Sequence, residues 1–319
     1  MSEPIIEVKN LTKYFDVRKY LLGKRERVHA VENVLFELYE SETLGIVGES
    51  GSGKSTLARL ITGLLEPTRG KIIYKGIDIT GSRRAYLNKI PKLIQMVFQD
   101  PYASLNPRIK VGEAIAEPLR IHKIVDKKEV RTEVERLLKL VGLQPEMYDR
   151  FPHEFSGGQR QRIVIARALA LKPEVLICDE AVSALDVSIQ AQILNLFNQL
   201  KEKLNLTYIF IGHDLSVVKY ISDRIMVMYL GEIMEIAPAE ELFNKKLHPY
   251  TQALISAVPD IEEENKRIIL EGDIPSPINP PTGCKFHTRC FKKRKICEEE
   301  HPELKEVAPG HYVRCHFVG

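Results

Sequence analysis

The chain has 319 residues, of which 44% are hydrophobic and 28% are charged, a composition that can form the core of one large or two modest domains. Its 46 basic and 43 acidic residues nearly balance, and with a net charge of +3 the chain as a whole shows no bias toward binding nucleic acid, although local basic patches remain an alternative. The sequence has no continuous apolar run of membrane-spanning length and begins without the basic and apolar regions of a signal peptide, so we expect a cytosolic protein.

Predicted strands and helices alternate along the first two thirds of the chain. Residues 5–9, 28–38 and 71–74 mix apolar and polar residues between turn residues, which is typical of an antiparallel sheet. Other runs are apolar throughout and predict strands buried on both faces: residues 44–47, 175–178 and 207–211. Between residues 111 and 143, apolar residues recur at helical spacing. The sequence therefore predicts an α/β fold with a largely parallel sheet, an antiparallel β subdomain and an inserted helical lobe.

Residues 48–56 read GESGSGKST and match the phosphate-loop pattern Gly-x4-Gly-Lys-Ser between a predicted strand and a predicted helix. The glycines allow the chain to curl so that backbone N–H groups and the helix N-terminus face a β-phosphate. Lys54 would reach the β and γ oxygens, and Ser55 would bind Mg2+ through its hydroxyl. A chance turn rich in glycine and serine is the alternative. The residues expected to bind nucleotide are Gly48, Ser50, Gly51, Gly53, Lys54, Ser55 and Thr56.

Two adjacent acids, Asp179 and Glu180, follow a predicted buried strand. One carboxylate at such a strand end can hold Mg2+ through water while its neighbour polarises an attacking water, although adjacent acids can also be merely solvated. His213 follows the next predicted strand, where its imidazole could bind a γ-phosphate or serve only as a structural hydrogen-bonding group. Parallel strands bring their C-terminal ends to one edge of a sheet, which favours the functional interpretation.

A second glycine-bearing loop, Ser156-Gly157-Gly158-Gln159, lies between the phosphate loop and the acidic pair. Its bare backbone N–H groups could bind another phosphate, which suggests that ATP is bound from two sides by two copies of the protein. Together with Gln99, residues 183–186 and His213, these ordered motifs resemble the ATPase subunits of ABC transporters over roughly residues 5–245.

In that family two subunits stack head to tail, and each ATP lies between the phosphate loop of one subunit and the signature loop of the other. The resemblance implies that Glu180 is the general base, that Asp179 binds Mg2+ and that His213 contacts the γ-phosphate. Gln99 would bind Mg2+ and the attacking water and connect them to the membrane subunits, and it is therefore also a catalytic candidate. The signature-loop residues that would contact the partner's ATP are Ser156, Gly158 and Gln159.

The same resemblance indicates two further nucleotide-binding positions. Asp186 would belong to the loop that crosses the dimer. The aromatic residue that stacks on adenine falls most naturally on Phe15, with Tyr14 as the other candidate, because an insertion at residues 16–27 blurs the alignment. Ordinary packing is an equally good explanation of an aromatic side chain at this position.

A narrower resemblance rests on residues 98–108, on residues 247–251 and on the proline-rich passage that ends at Gly283 and Cys284. These segments are similar to the ATPases of oligopeptide and dipeptide ABC importers. The resemblance implies an ATPase subunit that powers uptake, at the cytoplasmic face of the cell membrane. Its partners would be a second, non-identical ATPase subunit, two membrane permeases and, indirectly, an extracytoplasmic solute-binding protein. No nucleic acid partner is expected, and the sequence does not distinguish a peptide from an oligosaccharide or a metal complex as the substrate.

The same comparison predicts the domain organisation. An ATPase domain would occupy residues 1–245, with a helical subdomain at about residues 100–165, and a C-terminal extension would occupy residues 246–319. Proline is densest at residues 275–281, which we interpret as an extended linker into the cysteine-containing tail.

The tail holds Cys284, Cys290, Cys297 and Cys315, separated by gaps of five, six and seventeen residues. These gaps are wider than those usual in zinc sites, whereas four thiolates also suit a 4Fe-4S cluster, whose negative charge nearby basic residues could offset. The resemblance implies the same cluster. We therefore expect ATP, Mg2+ and a 4Fe-4S cluster as cofactors, with zinc as the alternative metal and a tail without metal as the remaining possibility.

Two other classes of ATP-binding protein are weighed against the importer. Non-transport ABC ATPases of DNA repair or translation usually have two cassettes in one chain or a long coiled-coil insertion, and this sequence has neither. A phosphate-loop kinase or GTPase that acts alone leaves residues 156–159 unexplained. The sequence therefore favours the importer subunit.

Overall fold

The computed structural model describes residues 3–18, 25–81, 90, 92–258 and 267–318. The strands in chain order are β1 Pro4–Arg18, β2 Arg25–Tyr39, β3 Thr43–Val47, β4 Arg69–Tyr74, β5 Ile77–Asp78, β6 Ile94–Val97, β7 Val175–Asp179, β8 Thr207–Ile211, β9 Arg224–Tyr229, β10 Glu232–Pro238, β11 Lys305–Ala308 and β12 His311–Val313. The α-helices are α1 Lys54–Ile61, α2 Pro101–Ser104, α3 Val111–Ile121, α4 Val130–Leu140, α5 Gly157–Leu169, α6 Val187–Leu204, α7 Leu215–Ile221, α8 Ala239–Asn244, α9 Pro249–Ser256 and α10 Ile296–Glu299.

The chain separates into two compact units. Unit 1 comprises Met1–Gly81 and Ile211–Gly319, and unit 2 comprises Ser82–Phe210. Within the described part of both units, no helix combines the length and the apolar character that a membrane crossing requires.

Unit 1 contains the predicted antiparallel sheet, in the strand order β2-β1-β4-β5. Strand β1 pairs antiparallel with both β2 and β4, and Ile6 lies opposite Leu38 on one side and Tyr74 on the other. Ile6 and Leu38 are fully buried. The mixed apolar and polar pattern in the sequence therefore correctly predicted strands with one face covered.

A second sheet of unit 1 has the strand order β11-β12-β10-β9-β3. Strands β3 and β9 run parallel, and β10 pairs antiparallel with β9 and with β12. The tail therefore contributes the hairpin β11–β12 to this sheet, which the sequence interpretation missed. Pro309 and Gly310, which has a φ of 73°, join two short alternating runs, and this turn signal could have revealed the hairpin.

In unit 2, β7 lies beside β6 and β8, and β6 and β7 run parallel with Ile94 opposite Val175. The predicted helical region contains α3 and α4. Its apolar spacing identified the inward face of α4 correctly, since Val134 and Leu138 are buried there. Gly142 then adopts a φ of 75°, a left-handed backbone that terminates the helical run.

His248 is the N-cap residue of α9 in unit 1 and is only 2% exposed. Its Nδ1 accepts a hydrogen bond from the backbone N–H of Tyr250 at 3.0 Å, and the backbone N–H of His248 donates to Glu235 Oε2 at 3.0 Å. Burial lowers the pKa of His248 to about 4, against the smaller opposite influence of the Glu235 carboxylate. The imidazole is therefore neutral in the folded protein at neutral pH.

This burial predicts a pH-dependent stability. Between pH 6.5 and 4 the unfolded chain binds a proton at His248 that the folded chain does not, so the contribution is present above pH 6.5 and is lost as the pH falls. The loss should approach about 3 kcal/mol near pH 4. The variant His248→Asn keeps an acceptor for the Tyr250 N–H but does not titrate. Its free energy of unfolding, measured in denaturant between pH 7 and 4.5, should depend less on pH than that of the wild type, and equal slopes would contradict the prediction.

Candidate functional site

The phosphate loop of unit 1 runs from the buried strand β3 into α1. Gly48 and Gly53 have φ values of 149° and 100°, in the region that favours glycine. A Cβ atom at Gly48 would overlap the carbonyl oxygen of Met228, and one at Gly53 would overlap that of Ala30. Both glycines are therefore required by backbone conformation and by space, which is the property expected of a loop that turns its N–H groups toward a ligand.

Lys54, only 6% exposed, binds the inner side of this loop. Its ammonium donates to the carbonyl oxygens of Gly48 and Glu49, at 2.7 and 3.0 Å. Ser50 and Gly51 are exposed on the outer side, and a Cβ at Gly51 would meet no atom within 4 Å. The other predicted ligands of this loop, Ser55 and Thr56, lie half-buried in the first turn of α1.

The remaining predicted site residues of unit 1 are His213 and the aromatic candidates. His213 follows β8 and its side chain is exposed. The Tyr14 hydroxyl donates to Glu32 Oε1 at 2.6 Å, and burial together with this hydrogen bond raises the pKa of Tyr14 to about 12. Phe15 is half-buried and has the Lys13 ammonium 5.1 Å from its ring centroid.

In unit 2 the structure brings together two residues predicted from separate motifs. The Gln99 side-chain amide donates to Glu180 Oε2 at 2.8 Å. Glu180 follows Asp179, the largely buried last residue of β7, and adopts a φ of 50°, a left-handed conformation that is uncommon for a side-chain-bearing residue. The Ser183 hydroxyl donates to the Glu180 carbonyl at 2.9 Å and closes the turn. The turn thus places the Glu180 backbone, and the hydrogen bond from Gln99 orients the carboxylate.

The signature loop of unit 2 forms the N-terminus of α5. The Ser156 hydroxyl accepts from the Gln159 N–H at 3.4 Å, while Gln159 Oε1 accepts from the Ser156 N–H at 3.0 Å. This reciprocal capping box fixes both side chains at the positive end of the helix. Asp186 precedes α6 with an exposed side chain.

Gly158 is required by packing against α6, because a Cβ there would lie 2.5 Å from Ile189 Cγ2. At the neighbouring Gly157 a Cβ would lie at an ordinary 3.6 Å from Leu185 Cδ2. Both variants gain the helix propensity of alanine, so their comparison isolates the overlap. We expect Gly158→Ala to be less stable than Gly157→Ala by about 1–3 kcal/mol in denaturant unfolding. Equal stabilities of the two variants would show that the Ile189 side chain moves aside without a loss in the free energy of unfolding.

Arg160 positions the signature loop and was not predicted from the sequence. It is 8% exposed, its Nε donates to the Pro152 carbonyl at 2.7 Å, and its guanidinium lies 3.9 Å from the ring centroid of Tyr102. Arg167, two turns later on α5, donates to the Ser104 carbonyl at 2.6 Å. The two arginines therefore connect α5 to the segment that follows Gln99. Their signal in the sequence is a charged residue at an inward-facing position of a helix that is otherwise apolar there.

Two family models match the chain: one described as ABC transporter, over residues 31–183, and one described as Oligopeptide/dipeptide transporter, C-terminal region, over residues 234–297. The oligopeptide transport ATP-binding protein AppF of Bacillus subtilis is 54% identical, over 99% of this chain and 98% of its own. The dipeptide transport ATP-binding protein DppF of Haemophilus influenzae is 48% identical, over 99% and 98%. OppF of Salmonella typhimurium, an oligopeptide transport ATP-binding protein, is 50% identical, over 98% and 95%.

Solved structures agree with these matches. The ATP-binding cassette MJ0796, in a dimeric post-hydrolysis state with ADP and Pi, superposes with a TM-score of 0.65 at 29% identity, over 73% of this chain and 98% of that chain. CbiO1 of Clostridium perfringens, part of the ABC transporter complex cbiONQ, superposes with a TM-score of 0.66 at 29% identity, over 77% and 92%. The predicted fold of an ABC ATPase with parallel and antiparallel sheets and helices is confirmed.

The predicted 4Fe-4S cluster at Cys284, Cys290, Cys297 and Cys315 is wrong. Among the described residues, no group of three or more His, Cys, Asp or Glu side chains is arranged to hold a metal ion, and the relatives named above are transport ATP-binding proteins. The same finding gives no support to the zinc alternative. The four cysteines do line one cavity of about 350 Å³. Burial raises the pKa of Cys284 to about 12 and also raises the pKa of Cys290 and Cys315, so these thiols are neutral in the metal-free chain at neutral pH.

The basic residues of the tail were expected to offset the negative charge of the cluster, but the structure pairs some of them with carboxylates. Lys293 pairs with Glu298 at 3.1 Å and Lys295 with Glu299 at 3.4 Å, so their charges are offset by carboxylates on the surface. Arg289 points elsewhere and pairs with Glu49.

Proposed function

The chain belongs to the ABC transporter ATPases, in the branch with the oligopeptide/dipeptide transporter C-terminal region, and we propose that it hydrolyses ATP to power the import of peptides through a membrane transporter. The observation that carries the proposal is the identity of about one half to peptide-transport ATP-binding proteins across both the ATPase motifs and the C-terminal region. A non-transport ABC ATPase of DNA repair or translation is not favoured, because the transporter-specific C-terminal region is part of the match.

The phosphate loop is proposed to hold the β- and γ-phosphates of ATP. The crowded glycines Gly48 and Gly53 support this role, because a side chain at either would deform the loop. Lys54 already lies along the inner face of the loop, and its ammonium would bind phosphate oxygens in the bound state. Ser50, Gly51 and Thr56 complete the proposed phosphate ligands, and Phe15 is proposed to stack on adenine.

Glu180 is proposed to be the general base of hydrolysis. Its carboxylate takes the proton as a water oxygen bonds to the γ-phosphorus and the bond to the leaving oxygen of ADP breaks. The Gln99 amide, 2.8 Å from Glu180 Oε2, orients this carboxylate, and His213 is proposed to donate to the γ-phosphate. Ser55, Gln99 and Asp179 carry oxygen donors of the type that Mg2+ prefers and are proposed to hold this ion, which would supply positive charge to the phosphates.

A second ATPase subunit is proposed to complete each nucleotide site. The capped N-terminus of α5 makes Ser156, Gly158 and Gln159 suitable ligands for a phosphate on the facing subunit, because the positive end of a helix favours an anion. Asp186 is proposed to belong to the loop that crosses the dimer. We propose that the native partner is a non-identical ATPase subunit and that closure of the dimer drives the permeases.

The remaining assignments extend this proposal to the whole transporter. Two membrane permeases would dock on the helical subdomain at about residues 100–165 of the ATPase domain, residues 1–245, with residues 246–319 as the C-terminal extension. The subunit would lie at the cytoplasmic face of the membrane. An extracytoplasmic solute-binding protein would deliver the peptide to the permeases and would not contact the ATPase subunit.

Uptake by cells that lack this subunit tests the proposal. Uptake of labelled di- and oligopeptides should fall to background in such cells and return when the wild-type chain is supplied. If peptide uptake is unchanged while uptake of an oligosaccharide or a metal complex is lost, the importer assignment survives and the peptide assignment does not.

A further inference from the structure

Glu49, the second residue of the phosphate loop, forms an ion pair with Arg289 of the C-terminal extension, and both lie in unit 1. The two terminal nitrogens of Arg289 donate to the two carboxylate oxygens of Glu49 at 2.6 and 3.1 Å. The Arg289 side chain is only 8% exposed, whereas Glu49 is partly exposed. Such a paired, two-bond contact fixes the orientation of the carboxylate as well as its charge.

The backbone of Glu49 is also held by the extension. Its N–H donates to the Tyr250 hydroxyl at 2.9 Å. Tyr250 is fully buried, and its ring packs against Tyr229 and Phe286, with centroid separations of 4.8 and 5.2 Å. The acceptor for the Glu49 N–H is therefore carried by a rigid aromatic cluster and not by a mobile surface side chain.

The carbonyl oxygen of Glu49 accepts a hydrogen bond from Lys54 Nζ at 3.0 Å, and Lys54 is the lysine proposed to bind the phosphates. All polar groups of Glu49 are thus engaged: the carboxylate and N–H by the extension, and the carbonyl by the loop itself. A shift of Arg289 or Tyr250 must therefore be transmitted to the peptide that holds the Lys54 ammonium.

The extension supports the same loop at a second point. Lys285 donates to the Leu230 carbonyl at 3.2 Å and pairs with Glu232 at 3.0 Å, on either side of Gly231. The Gly231 N–H in turn donates to the Ser52 carbonyl of the phosphate loop at 3.0 Å. Contacts from the extension therefore reach the loop both through Glu49 and, by way of Gly231, through Ser52.

We propose that the C-terminal extension sets the conformation and charge of the phosphate loop through Glu49, with Arg289 and Tyr250 as positioning residues for ATP binding. The inference rests on the proposed ATPase function. Without Arg289, the Glu49 carboxylate is an uncompensated negative charge in a loop that must accept a polyanion, and it repels the phosphates. Without the Tyr250 hydroxyl, the Glu49 N–H loses its acceptor and the peptide that precedes the ligand N–H groups is free to turn.

The main test is Arg289→Gln, with Lys293→Gln as the matched control. The control removes the same charge from the same segment, but Lys293 pairs with Glu298 on the surface. We expect Arg289→Gln to raise both the Kd of Mg-ATP and the KM of hydrolysis about tenfold, corresponding to about 1.4 kcal/mol. The kcat should stay within about threefold of wild type, because the base and its partner are untouched. Lys293→Gln should match wild type in all three constants.

The effects of Arg289→Gln and Glu49→Gln on the Kd of Mg-ATP should not add, and an ion pair that only stabilises the fold would not produce this result. In a Glu49→Gln background the change Arg289→Gln should alter the Kd of Mg-ATP by less than about twofold, because the charge that Arg289 offsets is already gone. Tyr250→Phe, which keeps the ring packing, should raise the Kd about threefold relative to its control Tyr312→Phe. This variant tests the proposal independently if Arg289→Gln does not fold.

The outcomes separate the inference from the function on which it rests. If wild type binds and hydrolyses Mg-ATP while Arg289→Gln and Tyr250→Phe lower the melting temperature and leave Kd and KM unchanged, these residues only stabilise the tail and the inference is overturned. If wild type does not bind Mg-ATP at all, the proposed function fails first, and the inference fails with it.

Discussion

Replacing Glu180 with glutamine should lower the kcat of ATP hydrolysis by about 100-fold to 10,000-fold while leaving ATP binding intact. Glutamine keeps an oxygen that can accept the 2.8 Å hydrogen bond from Gln99, so the geometry of the turn persists and only the basicity is lost. In the proposed mechanism hydrolysis reopens the dimer, and the variant, mixed with its partner ATPase subunit, should therefore accumulate as an ATP-bound dimer. Single-turnover hydrolysis and size-exclusion chromatography with Mg-ATP measure the two effects.

The matched control for this variant is Glu135→Gln. Glu135 lies on α4 in the same unit and pairs with Arg131 at 3.0 Å on the surface. Its substitution removes the same charge away from the proposed site and should leave kcat unchanged. Sustained turnover by Glu180→Gln at the rate of this control would remove Glu180 from the role of general base.

Lys54→Met should weaken binding of Mg-ATP by at least about 100-fold, because the ammonium is the charge proposed to bind the β and γ oxygens. Methionine can occupy the buried position of the lysine side chain but cannot donate to the carbonyls of Gly48 and Glu49, which lie 2.7 and 3.0 Å from Lys54 Nζ. The loop therefore loses both its proposed phosphate ligand and the two hydrogen bonds that Lys54 donates to its backbone. Equilibrium binding of a fluorescent ATP analogue measures the affinity.

Arg59→Met is the control for the lysine variant, since Arg59 is an exposed cation on the same helix α1. We expect its affinity for Mg-ATP to stay within about twofold of wild type. An unfolded Lys54→Met protein would be recognised by its circular dichroism, and a folded one with wild-type affinity would contradict the proposed role of Lys54.

The elements that the sequence predicted are those in which local pattern and burial agree. The strands around residues 44–47 and 175–178 were evident because a strand buried on both faces must be apolar throughout. The phosphate loop was evident because its glycines are required by backbone conformation, as Gly48 and Gly53 show. The role of Gly158 in binding ATP stays a prediction, and the structure adds packing against Ile189 as a separate reason for a glycine at this position.

What the sequence did not reveal depends on contacts between residues far apart in the chain. Arg160 and Arg289 carry no local motif, and their partners are defined only once the helices and the tail have packed. The hairpin β11–β12 was missed because its strands are short. The cysteines misled the interpretation because their number and spacing do not show how the folded chain arranges the side chains, and among the described residues these form no group that could hold a metal ion.

The C-terminal extension is connected to the phosphate loop by hydrogen bonds. Glu49 is held by Arg289 and Tyr250, and Ser52 is held through Gly231 beside Lys285. A truncation or a rearrangement of the tail is therefore expected to change ATP affinity even though the tail contributes no proposed phosphate ligand. The Kd of Mg-ATP, measured for Arg289→Gln alone and in the Glu49→Gln background, tests that connection directly.

The central claim is that ATP hydrolysis by this chain drives peptide import, and uptake by the reconstituted transporter tests it most directly. The chain would be assembled with its permeases and its partner ATPase in liposomes, with a binding protein that delivers labelled peptide. Uptake should require Mg-ATP and should stop when Glu180→Gln replaces the wild-type chain while the complex stays assembled. Uptake at the wild-type rate with Glu180→Gln, or uptake that does not require ATP, would contradict the account.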